Sequence, residues 1–153
     1  MKETVIIECS YYLKLSVVMS ERDKWSDKGI VTIDYDNKKV IIRKDCLEKL
    51  EKKYRPIKQR EERLLKVSDL NNEGMELEKQ GKIAEAVEVY EECIKIPVQA
   101  RHAYDRLLVL YGKAKEFKKE LGVCKKAIKM FKGETKYEGR LLKIEEKMKA
   151  IKK

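Results

Sequence analysis

The second half of this 153-residue chain repeats itself. Slid along its own length until Leu70 falls on Tyr104, it also brings Leu77 onto Tyr111 and Ile83 onto Phe117. Further on, Val87 meets Leu121, Cys93 meets Ala127, Ile94 meets Ile128 and Ile96 meets Met130. A second step of the same length brings Leu107 onto Leu141 and Leu108 onto Leu142. A period of this size is that of a helix–turn–helix unit, whose apolar stripe stays exposed until copies stack side by side. From Ile57 to the C-terminus apolar residues recur at helical spacing, with no strand pattern between them.

The first part of the chain reads differently. Val5, Ile7 and Cys9 fall on alternate positions, and Leu13, Leu15, Val17 and Met19 alternate with Lys14, Ser16 and Ser20. Period-2 alternation predicts half-buried strands in both places. A polar loop ending at Gly29 follows, and then Val31, Ile33 and Tyr35 are joined through Asp36-Asn37-Lys38-Lys39 to Val40-Ile41-Ile42. That pattern predicts a β-hairpin, with Asp and Asn tolerating the left-handed backbone of a tight turn. Asp45 is placed to cap a short helix carrying Leu47, Leu50 and Tyr54, and Pro56 is expected to end or kink it. The chain is therefore expected to be α+β, with a β-hairpin-containing module at 1–56 and an α-helical repeat domain at 57–153.

One repeat carries more than periodicity. Gly74, Leu77, Gly81, Ala86, Tyr90, Cys93 and Pro97 stand in or next to places held by small, aromatic and proline residues in the tetratricopeptide repeat family. Residues 67–153 resemble that family. In the second unit, 101–132, Leu108 replaces the small residue, Lys115 the turn glycine and Glu120 the alanine at Ala86. Residues 135–153 then resemble a lone capping helix with a charged outer face. The resemblance implies two helix hairpins plus a cap, with the first helix of each unit lining a groove. Carried over by position, that groove presents Ser68, Asn71, Asn72 and Met75, then His102, Asp105, Arg106 and Val109, then Lys136, Arg140 and Lys143. It implies a non-enzymatic adapter that binds a protein or peptide segment. On this reading Arg106 and Arg140 offer two-point hydrogen bonds to an acidic partner.

Charge supplies an alternative. Lys and Arg number 37 against 27 Asp and Glu, a net +10, and the excess is uneven. Residues 61–100 carry a net −5 and residues 101–153 a net +10. The basic C-terminal third, with Trp25 among Arg22, Lys24 and Lys28, would suit a nucleic-acid-associated protein. Self-association through a hairpin edge or an apolar stack end is a third reading.

Chemistry-bearing spacings are missing. His102 is the only histidine and has no nucleophile pattern beside it in sequence, and the seven glycines form no phosphate-cradling loop. Cys9, Cys46, Cys93 and Cys124 lie too far apart for a zinc knuckle or redox pair. We therefore expect no catalytic residue, cofactor or metal. No apolar run reaches the length of a membrane span, roughly 20 residues. The scattered thiols and the absence of a secretory signal pattern suit the cytoplasm.

Overall fold

A computed structural model describes residues 2–19 and 29–153, and the loop expected around Trp25 lies outside the described residues. The fold is α+β: β1 (Thr4–Glu8), α1 (Cys9–Ser16), β2 (Val31–Asp34), β3 (Lys39–Arg43), α2 (Lys44–Lys79), α3 (Ile83–Lys95), α4 (Arg101–Lys113), α5 (Phe117–Met130) and α6 (Thr135–Ile151). The chain divides into two compact units, Met1–Arg60 and Glu61–Lys153.

In the first unit β3 lies between β1 and β2, antiparallel to both. Val40 faces Ile7 and Ile33 across the ladder, and Ile42 faces Val5 and Val31. Alternation sends Val40 and Ile42 to one face, where they are fully buried with Leu15, Cys46 and Leu50. The expected hairpin is present, but its left-handed residue is Lys38, at φ +54°. Asp34 braces the turn instead, accepting hydrogen bonds from the Asn37 backbone N–H at 3.1 Å and its side-chain amide at 2.8 Å.

Two local expectations fail. The segment expected as a second strand is the helix α1, which buries Tyr12 and Leu15 while Leu13 and Val17 stay 60 % and 66 % exposed. Tyr12, Leu15, Val18 and Met19 join the core at helical spacing, so the alternating leucines and valine were a coincidence of two periods. Nor does Pro56 end the helix that begins near Asp45, since α2 runs through it for 36 residues. Residues 55–66 are all exposed. The Lys52 carbonyl, deprived of the Pro56 N–H, therefore has water as an alternative partner, which softens the usual penalty. Asp45 sits inside the first turn and pairs with Arg43 and Lys2.

In the second unit the C-terminal part of α2 packs on α3, with Gly74 against the Tyr90 ring and the Cys93 thiol 3.7 Å from the Val67 carbonyl. Helix α4 then packs on α3, α5 on α4 and α6 on α5. One core runs through them, including Tyr90, Tyr104, Leu107, Leu108, Cys124 and Tyr137. The two turns between paired helices are built alike, one repeat apart. Gly81 N–H donates to the Glu78 carbonyl at 3.0 Å and Lys82 N–H to that of Leu77 at 2.9 Å. Their counterparts, Lys115 to Gly112 and Glu116 to Tyr111, measure 3.2 and 2.9 Å. Gly81 has φ +75° and Lys115 has φ +58°, so the residue replacing the turn glycine adopts the same left-handed backbone. The following residues agree as closely, Lys82 at φ −83°, ψ 65° and Glu116 at φ −84°, ψ 61°.

The core also shows how unequal residues fill equivalent places. Gly74 sits where the next unit has Leu108, and Tyr90 sits where it has Cys124. All four are buried. A small residue on the first helix meets a large one on the second, and in the next unit the sizes are exchanged, which keeps the packed volume similar.

Candidate functional site

Helices α4 and α6 flank a shallow hollow of about 330 Å³ lined by Asp105, Leu108, Val109, Lys136, Tyr137 and Arg140. Four of the residues expected in a groove meet there: Asp105, Val109, Lys136 and Arg140. Asn71, Met75, His102 and Arg106 stand outside its lining. The Asn71 side-chain oxygen lies 3.6 Å from the Cys93 thiol, and Met75 is on the exposed surface of α2. His102 is half-buried, its ring edge-on to Tyr90 at 5.9 Å, and its Nε2 has no hydrogen-bond partner among the described residues.

Arg106 turns to α2. Its Nε donates to Glu78 Oε1 at 2.8 Å while Nη2 donates to Oε2, a two-point grip. Arg140, at the equivalent place of the following unit, reaches back to its predecessor in the same sense. Its Nε and Nη2 donate to Glu120 Oε1 at 3.0 and 2.7 Å, and Nη2 also donates to the Leu108 carbonyl at 2.7 Å. The cation keeps its place in the repeat, but its anion changes helix. Glu78 lies on the first helix of its unit, where the next unit has Gly112, and Glu120 lies on the second helix, where the earlier unit has Ala86. A Cβ on Gly112 would approach Glu120 Oε1 and Arg140 Nη2 at 3.3 Å. Glycine thus leaves the room that the relocated carboxylate occupies.

The third cation of this face is also matched. Lys136 Nζ donates to Asp105 Oδ2 and the Tyr137 hydroxyl to Oδ1, both at 2.9 Å. Arg106, Lys136 and Arg140 are therefore each met by a carboxylate of their own chain: Arg106 ties α4 to α2, Lys136 ties α6 to α4, and Arg140 ties α6 to α5. Glu78, Glu120 and Tyr137 complete these ties and were not foreseen. The two arginines recur at the repeat spacing, which was a readable signal, but their acids precede them by unequal stretches of chain.

Hydrogen bonding from Arg106 holds the Glu78 carboxyl below its ordinary value of 4.5, against the opposing effect of burial. Burial first, and then the Glu78 carboxylate, push the Tyr90 hydroxyl up. A depressed carboxyl stabilises the folded chain above its unfolded value and loses that contribution as pH falls through the folded one. Wild type should therefore melt above Glu78→Gln at neutral pH, and the gap should close as pH drops below 4.5. Thermal melts of both proteins across that range check this, and a gap unchanged well below 4.5 would contradict it.

A larger groove, about 920 Å³, lies over α3 and is walled by residues of α2, α4 and α5. Its lining mixes aliphatic side chains with carboxylates, and the net −5 of residues 61–100 was its only trace in the sequence. All four cysteines are free thiols. Among the described residues no group of three His, Cys, Asp or Glu side chains is placed to hold a metal ion, and no helix is long and apolar enough to cross a membrane. No protein-family model matches the chain, and no curated protein matches it.

Proposed function

We propose that residues 61–153 form a tetratricopeptide-like module that binds a segment of another protein, without enzymatic activity, in the cytoplasm. The observation that carries this reading is the pair of turns built alike one repeat apart, because repeated hairpins of this kind present successive first helices along one face. With Arg106, Lys136 and Arg140 already matched internally, that face would recognise a segment mainly by shape and apolar contact. Met75 and Val109 offer aliphatic surface, and His102 and Lys143 offer polar edges.

Met75 and Lys143 are exposed and take no part in the ties, so Met75→Glu with Lys143→Glu tests the face without loosening the stack. A photo-crosslinking residue placed at Met75 in cells should capture a discrete partner, and one at the exposed Lys125 of α5 should not. The partner's binding to purified full-length protein should weaken by about tenfold in the double variant. Equal binding by a double variant with an unchanged melting temperature would refute the reading.

A further inference from the structure

The groove over α3 differs in kind from the α4–α6 face. Leu70, Ile83, Val87 and Leu110 give it an aliphatic lining, and Ile83 is 43 % exposed although the helix it begins buries Ala86, Tyr90, Cys93 and Ile94. Five carboxylates share that lining with two lysines, Lys95 and Lys119. Both lysines are committed, to Glu92 and Glu116. Glu91 accepts the Tyr111 hydroxyl at 2.7 Å. The side chains of Glu73 and Glu88 have neither a hydrogen-bond nor an ion-pair partner among the described residues. The groove is thus apolar at its base with unmatched negative charge at its edge, on a chain whose net charge is +10.

We infer that this groove is a second docking surface, and that its occupant is a basic amphipathic helix: an aliphatic stripe at helical spacing flanked by Lys and Arg. The aliphatic stripe removes Ile83 and Val87 from water while the flanking cations reach Glu73 and Glu88. The chain's excess of lysine does not forbid this approach. Screening confines exposed charges to a range of about 10 Å at 0.1 M salt, so the carboxylates at the groove edge dominate over distant lysines once contact is made. An acidic helix would bring like charge to the same edge and is disfavoured. The surface is separate from the α4–α6 face and does not depend on that face binding anything.

The test uses full-length protein and three fluorescent synthetic peptides: leucines at helical spacing among lysines and arginines, the same peptide with glutamate for every cation, and the basic peptide with serine for every leucine. Only the first should bind appreciably by anisotropy. Glu73→Lys with Glu88→Lys should weaken it by about tenfold or more. Ile83→Asp separates the groove from simple charge attraction, because it adds a negative charge while removing apolar contact. The inference requires weaker binding, whereas charge attraction alone requires tighter. All three positions are exposed, and each variant should keep the wild-type melting profile. Tighter binding to Ile83→Asp, equal binding of the serine peptide, or preference for the glutamate peptide would overturn the inference. So would sedimentation showing that a second copy of the chain fills the groove and that the basic peptide fails to displace it.

Discussion

Arg140→Leu should lower the unfolding free energy by about 3–5 kcal/mol, more than a surface arginine would suggest, because its loss strands a buried charge. Glu120 is 1 % exposed, and Oε1 takes both of the bonds that Arg140 makes to this carboxylate while Oε2 has no hydrogen-bond partner among the described residues. Removing the carboxylate instead is milder. Glu120→Ala restores the residue type found at the equivalent Ala86, and it leaves a partly exposed guanidinium still donating to the Leu108 carbonyl. The double variant should be more stable than Arg140→Leu alone. Urea unfolding of the four proteins gives the coupling directly, and an Arg140→Leu cost that is the same with and without Glu120 would show that stranded charge is not the cause.

Gly74→Ala should also destabilise. An added Cβ would lie 2.5 Å from the Tyr90 ring, which is fully buried and tethered through its hydroxyl to Glu78 at 2.8 Å. Overpacking of this kind costs about 1–3 kcal/mol, outweighing a helix-propensity gain of about 1 kcal/mol. Gly122→Ala is the matched control, since its added Cβ meets nothing within 4 Å in the middle of α5. That change should raise stability by a few tenths to about 1 kcal/mol. Thermal melts that moved both variants in the same direction would remove the packing account of Gly74.

Most of the helical half was legible because one signal acts over many residues. The internal echo locates both turns, and the helices fall where the apolar spacing places them. The hairpin of β2 and β3 was legible for the same reason, through two alternating runs and a polar turn. Short segments were harder. In α1 one short run satisfied both a strand and a helix pattern, and only burial of Tyr12 and Leu15 separates the two. That Pro56 does not end α2 depends on solvent access to one carbonyl, which local sequence does not specify. The candidate site was legible in its positions and not in its partners. Asp105, Val109, Lys136 and Arg140 do share a hollow, but pairing of Arg106 with Glu78 and of Arg140 with Glu120 depends on which helices touch.

The migrating acid has a consequence for how such a chain tolerates change. A fixed guanidinium that accepts its counter-ion from either of two neighbouring rods leaves the loop path undisturbed while the surrounding letters drift. Two hairpins can then follow one trajectory through space and still spell very different words.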